Sequence, residues 1–140
     1  MYVYLAGGWF SPNMLKAVED IEQVLIDLNI RHFNPRKENL AKPDDPSNKL
    51  KHIFEGNIKA IDDCDLLIIS TTDKDMGTIF EAGYAYARNK TIVYYNPFMT
   101  NREKFNLMLA QSCIAVCITK EELHDYMTQL TKYQYKGLVE

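Results

Sequence analysis

Asp65-Leu-Leu-Ile-Ile-Ser70, followed closely by Asp73-Lys-Asp-Met-Gly-Thr-Ile-Phe-Glu-Ala-Gly-Tyr-Ala-Tyr-Ala-Arg88, is the stretch whose reading decides the fold. The first run is apolar without alternation, the pattern of a strand buried on both faces of a parallel sheet. A short acidic loop with Gly77 comes next, then good helix formers from Thr78 to Arg88. The unit is strand, loop, helix, and open α/β sheets take their ligands at the carboxyl ends of such strands. Asp75 falls in the loop and Glu81 in the first turn or so of the helix. Two carboxylates aimed at one crevice, with a glycine between them, suit chemistry at an acetal-like carbon. The same residues also read as a helix cap and a favourable charge near a positive helix end, and spacing alone favours that plainer reading.

Upstream, Met1 to Leu5 is a first strand that runs into Ala6-Gly7-Gly8-Trp9-Phe10, and Ser11-Pro12 opens a helix with a capping serine. Gly7 and Gly8 let backbone N–H groups approach a ligand closely in front of a helix amino end. Trp9 and Phe10 read equally as core or as a wall that stacks on a flat ligand such as a base. The helix to about Leu28 turns Leu15, Val18, Leu25 and Leu28 to one face. Asn29 to Phe33 is a second strand, and the proline-rich polar segment Asn34 to Ser47 a long loop expected to contact the base or act as a lid. Lys49 to Asp63 is a helix with Leu50, Ile53, Phe54, Ile58 and Ile61 at helical spacing.

Downstream of the deciding stretch, Thr91 to Tyr95 is a fourth strand, Lys104 to Gln111 a short helix, Ile114 to Ile118 a fifth strand and Lys120 to about Lys132 a last helix. The tail from Tyr133 to Glu140 is expected to fold over the crevice. Alternating strands and helices predict one α/β domain over residues 1–140, a flavodoxin-like, doubly wound, five-stranded parallel sheet in the order 2-1-3-4-5. Strands one and three are then neighbours, so the Gly7-Gly8-Trp9-Phe10 turn and the Asp75 to Glu81 loop open into one crevice.

The composition sets bounds. A chain of 140 residues with 46% hydrophobic content has enough material for a real core. A net charge of −3 with mixed signs gives no footprint for nucleic acid, and every apolar run is too short to span a membrane. The amino-terminal residues lack a basic stretch, so no signal peptide is expected. Cys64, Cys113 and Cys117 are odd in number and lack ligand spacing, which points to reduced thiols, a cytoplasmic setting and no metal or cofactor.

Four motifs, Tyr4-Leu-Ala-Gly-Gly-Trp-Phe10, Asp75-x-Gly77-x-x-x-Glu81-x-Gly-Tyr-Ala85, Phe105-Asn-Leu-Met108 and Tyr135-Lys-Gly-Leu-Val-Glu140, together resemble the nucleoside 2-deoxyribosyltransferases. The resemblance runs through nearly the whole chain in order, with 34–50 poorly matched. It implies transfer of 2-deoxyribose between nucleobases, with deoxynucleosides and free bases as partners and neither phosphate nor metal. It also implies a dimer-based homo-oligomer, up to a hexamer. Position by position it makes Glu81 the nucleophile, Asp75 a sugar-binding support for it, and Tyr4 the aromatic that positions it. Trp9 and Phe10 fall near base and sugar, Met108 against the sugar, and Asn106 is lent to a neighbouring subunit's site. Two positions depart: Asn57 stands where the family has an aspartate associated with the leaving base, and Glu140 where it ends in an aromatic residue.

For such chemistry Glu81 must be ionised, and the nearby helix amino end is expected to keep it so. Met108 would lie against the bare carbon two of the sugar. Asn57 can donate and accept hydrogen bonds but cannot act as a general acid. Two alternatives share the fold: a 2′-deoxynucleoside 5′-monophosphate N-glycosidase, for which Ser11 and Arg36 are available to a phosphate, and a non-catalytic nucleotide-binding sensor module.

Overall fold

Five strands, β1 (Tyr2–Ala6), β2 (Arg31–Phe33), β3 (Leu66–Ser70), β4 (Thr91–Tyr95) and β5 (Ala115–Cys117), form one parallel sheet in the computed structural model. Their order is β2-β1-β3-β4-β5, the expected one. The structure describes residues 1–100, 103–129 and 135–140. The helices are α1 (Pro12–Asp27), α2 (Pro35–Glu38), α3 (Ser47–Asp63), α4 (Met76–Ala87), α5 (Leu107–Ser112) and α6 (Lys120–Gln129). The expected end of the last helix, 130–132, lies outside the described residues, as does the start of the tail.

Side chains alternate along each strand, so the sheet feeds two cores. Val3, Leu5, Leu66, Ile68, Val93 and Tyr95 pack with α1 and α6. Tyr4, Ala6, Leu67, Ile69, Ile92 and Tyr94 pack with α3, α4 and α5. Leu67, Ile68 and Ile69 are fully buried, which stabilises the fold by roughly 1.5–3 kcal/mol each. The register pairs Val3 with Leu66 and Ala6 with Ile69, so β1 and β3 end side by side at their carboxyl ends. Strand order reverses between them, which is where doubly wound sheets take their ligands.

Three local expectations shift. The face α1 buries is Met14, Ala17, Val18, Ile21, Val24 and Leu25, while Leu15 is only half-buried. Leu28 is the residue that ends the helix, also half-buried. On α3, Ile53, Ala60 and Ile61 meet the sheet, but Leu50 and Phe54 stay exposed because the helix covers the sheet with one stripe only. The Phe54 ring instead leans on Phe80 of α4, with centroids 5.9 Å apart. The segment after β2 is not loop throughout: Asn34 caps α2 by accepting from the Arg36 N–H at 3.2 Å, with Pro35 first in the helix. Asn34 also donates to buried Glu22 at 2.9 Å, and Lys37 pairs with the same carboxylate at 2.7 Å. These bonds fasten the start of the segment to α1.

Gly7 is where the fold has no room. A Cβ there would lie 2.6 Å from Val18 Cγ2 on α1 and 3.2 Å from Ser70 Cβ at the end of β3. Gly7→Ala should therefore destabilise by about 1–3 kcal/mol through overpacking. A melting temperature equal to wild type would refute this account of the β1–α1 turn.

Candidate active site

The alternation that sends Tyr4 to the α3 and α4 side of the sheet also aims its hydroxyl at α4. Tyr4 is fully buried and donates to Glu81 Oε1 at 2.9 Å across 77 residues of sequence. Phe33, at the end of β2, stacks on the Tyr4 ring with centroids 5.6 Å apart and an interplanar angle of 17°, which holds its orientation. Sequence reasoning had placed Phe33 in a strand without assigning it to the site.

Asp75 is the cap of α4, as the plainer reading of its spacing had it. Its Oδ2 accepts from the Thr78 N–H at 2.9 Å and from the Thr78 hydroxyl at 2.7 Å. Both bonds land on Oδ2, and Oδ1 takes no hydrogen bond from any described residue. Capping thus orients the carboxylate without using all of it. Thr78, three residues beyond the acidic cap, is a signal the sequence carried and the motif reading passed over. Gly8 leaves the space Asp75 occupies: a Cβ there would lie 2.8 Å from Met14 Sδ and 3.1 Å from Asp75 Cβ, whereas one on Gly77 would make ordinary contact with Oδ2 at 3.4 Å.

Glu81 differs from expectation in its charge. It sits in the second turn of α4, beyond the reach of the helix end, and it is half-buried. Burial pushes its carboxyl up to about 7, opposed by the Tyr4 hydrogen bond and reinforced by the Asp75 charge. Desolvation wins over the dipole because the dipole's effect fades within the first turn, while a carboxylate taken out of water loses solvation wherever it lies. Burial and the Glu81 charge drive the Tyr4 phenol far above its usual value, so it remains a donor.

Of the aromatic pair after Gly8, Trp9 is half-buried and Phe10 is 73% exposed, so Phe10 is not core. Their rings lie 5.2 Å apart. Asn57 lies on the stripe of α3 that also carries Ile53, Ala60 and Ile61, and its Oδ1 accepts from Asn39 Nδ2 at 3.0 Å. Asn39 Nδ2 also donates to the Ile53 carbonyl at 2.8 Å. That carbonyl can only accept, which fixes which end of each amide points where. The 34–47 segment thus reaches Asn57 through Asn39, a residue the sequence did not single out.

Asn106 and Met108 are not gathered with this group. Both are exposed, and both line a separate cavity of about 700 Å³ with Lys74, Ile79, Phe105 and Glu140 among its walls. Neither Asp75 nor Glu81 lines it. Asn106 is not inside the helix but caps it, accepting from the Leu109 N–H at 3.1 Å. The described tail pairs with the residues around it: Glu140 donates its N–H to the Phe105 carbonyl at 2.9 Å and accepts from the Leu107 N–H at 2.7 Å. Among the described residues no three His, Cys, Asp or Glu side chains converge as metal ligands do.

The family model described as nucleoside 2-deoxyribosyltransferase matches residues 3–125. A 2-deoxyribosyltransferase from the psychrotolerant bacterium Bacillus psychrosaccharolyticus is similar at 28% identity and a TM-score of 0.83, covering 96% of this chain and 99% of that one. A conserved protein of Enterococcus faecalis aligns at 19% identity and a TM-score of 0.71, over 94% and 99% of the two chains. The CMP N-glycosidase of Clostridium botulinum aligns at 18% and 0.59, over 94% and 100%. The last two likenesses are of fold alone. No curated protein matches the sequence.

The raised Glu81 carboxyl carries a sign for stability. The folded protein holds its proton up to about 7, against an ordinary value of 4.5, so stability is lost as pH rises through that window. Glu81→Gln should match wild type at pH 4 and exceed it at pH 8 by on the order of 2–3 kcal/mol. Denaturant melts at the two pH values check this. Tyr4→Phe removes the one contact that opposes burial, so carbon-13 NMR should show the Glu81 carboxyl titrating higher still. A Glu81 that titrates at its ordinary value in wild type would overturn both.

Proposed function

The chain belongs to the nucleoside 2-deoxyribosyltransferase family, and from that membership we propose that it moves 2-deoxyribose between nucleobases through a covalent ester with Glu81. The observation that carries the proposal is the Tyr4–Glu81 hydrogen bond, which fixes a half-buried carboxylate in the crevice beside Asp75. In the first step a Glu81 oxygen attacks the anomeric carbon, the carbon–nitrogen bond breaks, and its electron pair leaves with the base. Tyr4 holds Oε1, leaving Oε2 to attack. In the second step a nitrogen of another base attacks the same carbon, the bond to Glu81 breaks and Glu81 departs as a carboxylate. The proton of that nitrogen passes through water to the base that left as an anion. Water in place of the second base gives hydrolysis, the outcome that makes the N-glycosidase the related alternative.

The other residues take roles around this centre. Asp75 Oδ1 accepts from a sugar hydroxyl, Gly7, Gly8 and Gly77 give the sugar and Asp75 room, and Trp9 with Phe10 forms the wall beside the base. Asn57, its carbonyl end engaged by Asn39, presents amide N–H donors to the leaving base. It stabilises the departing electron pair by a hydrogen bond rather than a transferred proton. Because Glu81 must be ionised to attack, kcat/KM should rise with pH through about 7.

We read the enzyme as a cytoplasmic homo-oligomer acting in deoxynucleoside salvage, with Asn106 and Met108 completing a neighbour's site. Their exposure and their separation from Glu81 support that reading. So do Met76 at 86% exposed, Tyr86 at 60% and Phe80 at 54%, an uncovered apolar side of α4.

Two measurements test the proposal. A deoxynucleoside incubated with an excess of a second free base should yield the second deoxynucleoside, and Glu81→Ala should lower that rate by several orders of magnitude while the protein stays folded. Free deoxyribose as the sole product, or a well-folded Glu81→Ala with near-normal rate, would refute transfer or the nucleophile respectively. For the shared site, Glu81→Ala and Asn106→Ala subunits are tagged and co-expressed. Mixed pairs hold one intact site, so roughly a quarter of wild-type activity should return from two weak parents. If Asn106 serves its own subunit, every site lacks one group and nothing returns.

A further inference from the structure

Resting on the deoxyribosyl-transfer reading, we propose that Asn39 is a positioning residue that locks Asn57 as a donor-only contact, so that the site selects bases with an oxo group over bases with an amino group. An asparagine amide can ordinarily turn over and offer a ligand either its oxygen or its N–H groups. Here it is held. Asn39 Nδ2 gives one hydrogen to the Ile53 carbonyl at 2.8 Å and the other to Asn57 Oδ1 at 3.0 Å. Turning the Asn57 amide over would set N–H against N–H and leave both unpaired. Asn57 Nδ2 is therefore the end turned away from Asn39, and its two hydrogens go to no described residue.

Three helices build this lock. Asn34 and Lys37 fasten α2 to Glu22 of α1, and Asn39 closes α2 with its own N–H on the Pro35 carbonyl. On α3 the seat for its side chain is Gly56, where a Cβ would lie 2.9 Å from Asn39 Nδ2. Glycine inside a helix is destabilising relative to alanine, and here it makes room for the amide. Asn57 also stands level with the proposed nucleophile. Phe54 of α3 meets Phe80 of α4, and farther along Asp62 accepts from Tyr84 and Arg88. These contacts bracket Asn57 on one helix and Glu81 on the other, a helix spacing of about 8–10 Å apart. That separation suits the outer edge of a base whose sugar carbon is at Glu81. At that edge uracil and hypoxanthine carry an oxygen where cytosine and adenine carry an amino group. An oxo oxygen accepts from Asn57, whereas an amino group meets a second donor and both stay unpaired. As the carbon–nitrogen bond breaks, its electron pair spreads onto the oxo oxygen, where N–H donation is strongest.

Calorimetric titration tests this without turnover when Glu81→Ala is the parent, because that protein cannot form the ester. 2′-Deoxyuridine is compared with 2′-deoxycytidine, and 2′-deoxyinosine with 2′-deoxyadenosine, so each pair exchanges an oxo for an amino group. The oxo member of each pair should bind at least about tenfold more tightly. Adding Asn39→Ala, which removes the lock, or Gly56→Ala, which displaces it, should bring each ratio within about threefold. Gly56→Ala should do so without lowering the melting temperature, since alanine favours the helix. Asn39→Asp can only accept, so it turns the Asn57 amide over and should shift each ratio toward the amino member. Equal binding of the two members of each pair by the parent would overturn the proposal, as would ratios that all three variants leave unchanged. The expected ratios beside a wild type that releases no base from any of the four would count against the Glu81 mechanism and uphold the role of Asn39.

Discussion

The parallel pairing of β1 with β3 is the constraint on which the rest depends. Sequence separates these strands by α1, β2, α2 and α3, yet the register sets Ala6 beside Ile69. Everything that follows either strand is therefore delivered to one place: Gly7, Gly8 and Ser11 from the first, Asp73, Asp75 and α4 from the second. The same pairing fixes which side chains point to which face. Tyr4 faces α4 and not α1 because its neighbours Val3 and Leu5 are committed to the other core. A slip of one residue would turn Tyr4 away from Glu81 and bring Leu5 to it.

Within that frame the site joins two opposed demands. The Tyr4 hydroxyl holds Glu81 in one geometry, and burial raises the free energy of its ionised form. Ionisation is nevertheless what the proposed attack on an anomeric carbon needs. The Tyr4 hydroxyl offsets part of the cost by donating to the carboxylate, and developing positive charge on a sugar would offset more. Asp75 shows that capping and chemistry are not exclusive readings of one residue. Its Oδ2 caps the amino end of α4, and its Oδ1 accepts no hydrogen bond from any described residue. The sequence offered these as alternatives, and the structure permits both at once.

Much of the architecture was legible from the chain alone. Apolar runs such as Leu66 to Ser70, glycine and proline at the turns, and helical spacing on α1 and α3 are local properties, so element order and sheet order followed from them. So did the grouping of Gly8, Asp75, Gly77 and Glu81, because each lies on or beside an element whose place the topology dictates, whereas the place of Tyr4 beside Glu81 came only from the family resemblance. The errors were of phase and surface. Leu15 and Phe54 have core-like chemistry but stand off the buried stripes, and only the packing of each helix against the sheet decides where a stripe falls.

Sequence by itself determined the five-stranded parallel sheet, the adjacency of its first and third strands, and the family to which the chain belongs. Tertiary structure alone decided the proton affinity of Glu81, the pairing of Ser11 with Asp73, the tie between Asn39 and Asn57, and the separation of Asn106 from the carboxylates. The reason is distance. Secondary structure is written in contacts a few residues apart, whereas Tyr4 meets Glu81 across 77 residues and Ser11 meets Asp73 across 62. Desolvation and hydrogen bonding depend on what stands within a few ångströms in space, and that is settled only when the sheet has brought its strand ends together.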